Sequence, residues 1–182
     1  MRHKKIIKSI SLIISLFLIT SCSNNSAMKP EDFKNKQPRL IIEEYLSGNI
    51  KAWGVLQNRS GKVTRQFKAD LEGKWDGKTL ILDEVFNWND GERQTRQWKI
   101  NKIDDHNYEG TASDVVGIAK GYSYGPAFKF EYVLLVPVKG KNIKITFDDW
   151  IFKQDESVAI NRATMTKFGF KVAELTVMFF KK

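Results

Sequence analysis

From Arg39 onward the chain alternates residue by residue between turns, most plainly after Val63. In "VTRQFKADL" the side chains of Val63, Phe67, Ala69 and Leu71 share one parity, while Thr64, Gln66, Lys68 and Asp70 share the other. "TLILDEVFNW" follows, with Leu80, Leu82, Phe86 and Trp88 on one face. A period of two sends successive side chains to opposite faces of a strand, so each segment buries one face and wets the other. Turn signals divide the segments: Ser60-Gly61-Lys62, Asp76-Gly77-Lys78, Asn89-Asp90-Gly91-Glu92 and Lys139-Gly140-Lys141. Asn and Gly accept the positive φ that tight hairpins need. The rhythm continues through "QTRQWKINKI", "NYEGTASD", "GIAKGYSY", "AFKFEYVLLVPV", "NIKITFDDWIF", "SVAINRATMTKF" and "FKVAELTVMFF".

This pattern predicts nine or ten antiparallel strands with short connections and almost no helical period. The fold class is therefore all-β, an antiparallel up-and-down barrel of eight to ten strands, because closure removes exposed sheet edges. A barrel of that size has room for a side-chain core or for one small ligand. Outward residues such as Thr64, Gln66, Lys68 and Asp70 are too polar to face lipid, which argues against a porin.

The N-terminus has a different character. Arg2, Lys4, Lys5 and Lys8 precede "SISLIISLFLIT", twelve residues without a charge. A basic n-region, a short apolar h-region and small residues after it are the anatomy of an export signal. A spanning helix needs about 20 apolar residues, so the run is short for a permanent anchor. Ile19-Thr20-Ser21-Cys22 resembles the bacterial lipobox, in which the cysteine thiol takes a diacylglyceryl group and becomes the first residue of the mature chain. The division expected is residues 1–21 as lipoprotein signal peptide, 22–37 as lipidated flexible tether and 38–182 as the barrel domain. Ser23, where an aspartate would retain the lipoprotein at the inner membrane, points to the periplasmic face of the outer membrane. Cys22 is the sole cysteine, so an exported domain of this sequence stands without a disulfide.

Charge narrows the partners. Without residues 1–21 the chain keeps 26 basic side chains against 21 acidic ones, a surplus of five. Export and so small a surplus argue against nucleic acid as a target. The expected partner is the membrane, reached through the lipid on Cys22. The segment "SNNSAMKPEDFKNKQ" is polar and aperiodic; its fifteen residues reach at most ~50 Å.

"AWGVLQNRSGKVTRQF", "GKWDGKTLILDEVFNWNDGERQTRQWKI", "YEGTASDVVGIAKG" and "FDDWIFKQDESVAINRATMTKFG" resemble, in order, the family of Gram-negative lipoproteins catalogued as domain of unknown function 3833. The resemblance spans nearly all of the mature domain. It implies a calycin-like (lipocalin-like) barrel and a lipidated N-terminus, and it implies no activity. In "GYSYGPAFKF" this chain departs from that pattern, with Pro126 where an Asn is expected.

Several charged residues share parity with apolar, inward positions: Arg65 with Val63 and Phe67, Glu84 with Leu82 and Phe86, Arg96 with Trp98 and Ile100. Asp149 falls with Ile143, Ile145 and Phe147, and Arg162 with Val158 and Ile160. Unpaired burial of any of them is costly, so they are expected to meet partners. Three arginines against two carboxylates leave one positive charge over. Two readings stay open. One is a structural network closing a barrel end, with an arginine stacked on Trp53 or Trp98; the resemblance to lipocalins implies such a Trp–Arg pair. The other is a site for a lipid or fatty acid such as palmitate, its anionic head on an arginine and its chain on the aromatic wall. Candidate ligand-binding residues are Trp53, Arg65, Glu84, Arg96, Trp98, Tyr132, Asp149 and Arg162. A carboxylate converging with Tyr132 inside a cavity would favour a third reading, an enzyme acting on a lipid-like substrate, and a solid core of packed aromatics a fourth, a ligand-free structural or interaction lipoprotein.

Other chemistry has little support. His106, in "DDHNYEG", reads as an exposed loop residue and is the single histidine beyond the N-terminal run. No zinc site or Ser–His or Cys–His pair is expected from it, and no metal or cofactor is expected at all. Asp148 and Asp149 are strand neighbours on opposite faces and cannot share a proton. Gly117, Gly121 and Gly125 are spaced for bends or close packing rather than for a phosphate.

Overall fold

Each period-two segment is a strand in the computed structural model, which describes residues 27–138 and 140–182. The strands are β1 (Gly48–Asn58), β2 (Val63–Trp75), β3 (Thr79–Trp88), β4 (Arg93–Lys102) and β5 (Asn107–Thr111). They continue with β6 (Ala119–Tyr124), β7 (Ala127–Val138), β8 (Lys141–Lys153), β9 (Val158–Lys167) and β10 (Phe170–Lys181). Every strand pairs antiparallel with its neighbour in sequence, and β1 pairs with β10 to close the barrel. The chain is thus an all-β, up-and-down barrel of ten strands, at the upper end of the expected range. Closure leaves no edge to pair with another chain.

The parity argument holds on β2, β3, β4 and β8. Phe67, Ala69 and Leu71 are buried inside, as are Leu80, Leu82, Trp98, Ile100, Ile145 and Phe147. Interior rings need room, and glycine supplies it. A Cβ on Gly110 would stand 2.4 Å from Phe130 Cζ, so only glycine lets that ring lie against the wall.

One end of the barrel is plugged. Residues 39–47, read from sequence as the start of the alternation, instead cross the barrel end. A single helical turn, α1 (Ile42–Tyr45), sits there with Leu40 and Ile42 almost wholly buried. Burying a side chain of that size is worth about 1.5–3 kcal/mol. Polar groups hold the plug in place: Tyr45 donates to the Ser157 carbonyl at 3.0 Å, and Ser123 donates to the Leu40 carbonyl at 3.1 Å. Glu43 accepts from Lys102 at 2.8 Å and from Tyr108 at 2.9 Å. Burial works against this carboxylate, but Lys102 and then Tyr108 hold its pKa below the usual range. Gly73 lies beneath: a Cβ there would be 1.8 Å from the Leu46 carbonyl oxygen.

The tether expectation needs correction for residues 30–37. Pro30–Phe33 form a 3-10 turn, and Phe33 packs on Trp150 and Phe152 with ring centroids 6.0 and 5.5 Å apart. The polar composition concealed this one aromatic anchor. Every strand pairing closes within residues 48–182 and the plug comes from 40–46, so the described segment carries a complete barrel. Cys22 and the signal segment lie outside the described residues.

Candidate functional site

The end opposite the plug is formed by the β1–β2, β3–β4, β5–β6, β7–β8 and β9–β10 connections. A cavity of about 370 Å³ runs from the plug toward this end. Its lower wall is apolar, built from Leu46, Leu71, Leu82, Phe128, Ile151 and Val177. Near the mouth it is lined by Arg65, Trp88, Glu92 and Pro137, of which Glu92 and Pro137 are exposed. Volumes of about 300–1,000 Å³ are typical of small-molecule sites.

Midway up the wall lies a polar collar. Glu84 on β3 and Arg96 on β4 are directly opposed cross-strand partners, so both point inward together. Arg96 Nη1 is 3.7 Å from Glu84 Oε2. Its Nε and Nη2 donate to the Asp114 carboxylate at 3.1 and 2.8 Å. Asp114 comes from the β5–β6 loop, which folds against β7 through hydrogen bonds from Leu135 N to Asp114 O and from Val116 N to Val133 O, both 2.8 Å. Across the cavity Tyr132 donates to Asp149 Oδ2 at 3.0 Å. Asn161 donates to the other oxygen of Asp149 and to the Trp150 carbonyl. Tyr132 also stacks on Phe147, 5.0 Å between centroids.

Two of these carboxyls are poised near neutrality. Burial pushes the Glu84 carboxyl up to about 7 against the pull of Arg96, with Asp149 and Asp114 adding to the rise. Burial likewise lifts Asp149 to about 6, although Asn161 and Tyr132 donate to it. Burial, then the Asp149 charge, raises Tyr132 well above the usual phenol value, so it stays protonated. Glu84 Oε2 is buried beside Arg96 and has no hydrogen-bond partner among the described residues.

The site therefore brings together Glu84, Arg96, Trp98, Tyr132 and Asp149 as read from sequence, with Arg65 nearer the mouth. Arg65 pairs with Asp90 at 2.7 Å and Glu92 at 2.8 Å and lies 4.0 Å from the centre of the Trp88 ring. The Trp–Arg stack of the mouth is thus Arg65 on Trp88, and the Arg96 guanidinium is only loosely placed against Trp98, at 5.9 Å.

Two candidates face outward. Trp53 is 40% exposed on the outer wall, beside Met178 of β10. Arg162 is exposed and pairs with Glu174 at 2.9 Å. On β9 the small residues Ala159, Asn161 and Ala163 are the buried set, while Val158 and Ile160 point out. Hydrophobicity misassigned the face, because this stretch of wall lies beside the collar and keeps its bulk outside. The charge count changes too. Two cavity arginines, Arg65 and Arg96, face four carboxylates, Glu84, Glu92, Asp114 and Asp149. The expected positive surplus does not exist inside the barrel.

Sequence reasoning missed Asp114, Asn161 and Trp88 as site residues. Trp88 shared parity with Glu84 and could have been found. Asp114 could not, since its loop has no period to read. Of the glycine trio, Gly121 and Gly125 are close-packed: a Cβ on Gly121 would meet Phe128 at 2.8 Å and one on Gly125 would overlap the Phe33 carbonyl oxygen, whereas Gly117 faces open space.

In fold the chain is a closed, ten-stranded, lipocalin-like barrel. The chain belongs to the family described as protein of unknown function (DUF3833), which matches residues 16–182. No sequence among curated proteins matches it. In fold it is similar to the S-type phycobiliprotein lyase CPES from Guillardia theta, at 8% identity and a TM-score of 0.57, over 77% of this chain and 90% of that one. It is also similar to a protein of unknown function of the DUF3598 family from Nostoc punctiforme, at 14% identity and a TM-score of 0.60. That match covers 81% of this chain and 51% of the other. At such identities the likeness is one of fold.

Proposed function

We propose that this protein is a lipoprotein, held through Cys22 to the periplasmic face of the outer membrane, whose barrel binds a lipid or fatty acid. The observation that carries the reading is the cavity itself: apolar and aromatic below, polar at one level, and about 370 Å³ in volume. An acyl chain fits the lower wall, where each buried methylene contributes about 0.8 kcal/mol. The collar selects the head group. Arg96 is already neutralised by Asp114, whereas Glu84 Oε2 lacks a donor. The favoured ligand brings a hydrogen-bond donor to that depth: a protonated carboxyl, a hydroxyl or an amide.

The test is displacement of a fluorescent fatty acid from residues 27–182. Ala52 is buried in the cavity wall, so Ala52→Phe places a ring in the acyl path. Saturable binding that Ala52→Phe abolishes in a folded protein supports the reading; equal binding by both chains overturns it. The anchor is tested separately by metabolic labelling with palmitate, which must vanish in Cys22→Ala.

A second reading, acid–base catalysis on such a ligand, is favoured by the Tyr132–Asp149 hydrogen bond beside the near-neutral Glu84. It requires turnover of a bound acyl compound that Asp149→Asn removes while affinity is kept. Binding without turnover leaves the carrier alone.

A further inference from the structure

The mouth end carries a second pattern. Val63, Val138, Phe168 and Phe170 are all exposed there, on three of the five connections, and the last two are 88% and 77% exposed. Phe168 and Gly169 form the two-residue β9–β10 turn with φ of 51° and 80°. A bulky side chain at positive φ is a true backbone outlier, and Asn-Gly is the pair such a turn prefers. Phenylalanine here works against both backbone and solvent, at a site where folding alone would favour asparagine. Strain of that kind points to use.

Charge at the same end points the same way. Its acids are engaged: Asp90 and Glu92 by Arg65, Asp114 by Arg96, Glu174 by Arg162 and Lys171. Arg59, Lys62, Arg93, Lys141 and Lys167 stand around the rim and form no ion pair among the described residues. Aromatic tips flanked by lysines match the interface of an anionic bilayer, where rings enter the head-group layer and cations meet phosphate.

We propose that the mouth of the barrel is a docking surface for an anionic phospholipid bilayer, with the Phe168–Phe170 turn as its inserting tip. The inference extends the reading of the cavity as a lipid site: docking would let a ligand pass between bilayer and barrel without crossing water. The N-terminal segment leaves the barrel at the plugged end, where the Phe33 carbonyl crowds Gly125. An anchor on Cys22 therefore leaves the mouth free to meet a bilayer other than the one holding it.

The experiment measures binding of residues 27–182 to vesicles of phosphatidylethanolamine and phosphatidylglycerol, and to vesicles of phosphatidylcholine alone. The expected result is binding to the anionic vesicles that salt weakens. Phe168→Asn with Phe170→Thr should lower it by about tenfold or more, while Phe168→Asn keeps or raises thermal stability by relieving the turn. Ile103, 58% exposed at the plugged end, supplies the control, and Ile103→Thr should change nothing. Fluorescent fatty-acid binding in solution is read in parallel and should be equal in all three chains. Vesicle binding that survives the double substitution, or that falls equally with Ile103→Thr, overturns the proposal. Loss of vesicle binding on the rim variant with no fatty-acid binding by any chain would uphold docking and reject the cavity reading.

Discussion

Asp114 meets Arg96 from a loop rather than a strand, with the Arg96 Nη2 to Asp114 Oδ2 distance 2.8 Å. That contact decides what the cavity can hold. Without it Arg96 would offer a free fork to an anionic head; with it the fork is filled, and burial is tolerable for both charges.

Asp114→Ala should therefore cost about 1–3 kcal/mol, the penalty for leaving buried donors unsatisfied, since Arg96 keeps Glu84 as a second, looser partner and Asp114 is partly exposed. It should also tighten binding of a fatty-acid carboxylate, because Arg96 is released toward the ligand. Urea denaturation reads the first effect and fatty-acid titration at alkaline pH the second. A destabilised protein with weaker carboxylate binding would contradict the account.

Arg162→Ala should do almost nothing. The residue is exposed and its pair with Glu174 is solvent-screened, so stability should move within about 0.5 kcal/mol. Ligand affinity should be unchanged. A loss of binding would return Arg162 to the cavity and displace Asn161 from it.

Stability should fall as pH rises from about 5 to about 7 and level off above, as two buried carboxyls lose their protons. Glu84 goes from 4.5 to about 7 on burial and Asp149 from 3.8 to about 6. Both groups hold their protons more tightly folded than unfolded, so their cost is absent below the unfolded pKa values and complete above the folded ones. For Glu84 the difference is on the order of 3 kcal/mol. Urea midpoints across that window should decline, and Glu84→Gln should remove the part of the slope that Glu84 supplies below about 7. A midpoint constant in wild type would contradict the burial of these carboxyls.

Gly73→Ala should loosen the plug. The added Cβ would overlap the Leu46 carbonyl oxygen, and backbone cannot step aside as a side-chain tip can. About 1–3 kcal/mol is the expected loss, seen as a lower melting temperature with greater binding of a hydrophobic dye. An unchanged melting temperature would mean the plug moves freely.

Much of this molecule was legible before its structure. Alternation and turns specified the barrel, its topology and the inward placement of Arg65, Glu84, Arg96 and Asp149, because a period of two leaves little choice once one face is buried. The signal weakened where burial stopped following hydrophobicity. On β9 Ile160 is outside and Asn161 inside, so apolar residues marked the wrong face. The plug was lost for another reason. Residues 39–47 are too few for a helical period, and their burial depends on residues 59 to 134 positions away in the chain. Asp114 depends on the fold of its loop.

The most direct test is native mass spectrometry of the barrel after secretion to the periplasm, with solvent extraction of whatever it carries. The account predicts a discrete added mass of lipid size, absent from Ala52→Phe and retained by Arg162→Ala. A wild-type barrel that stays at its bare mass, even after incubation with fatty acids and phospholipids, would contradict it.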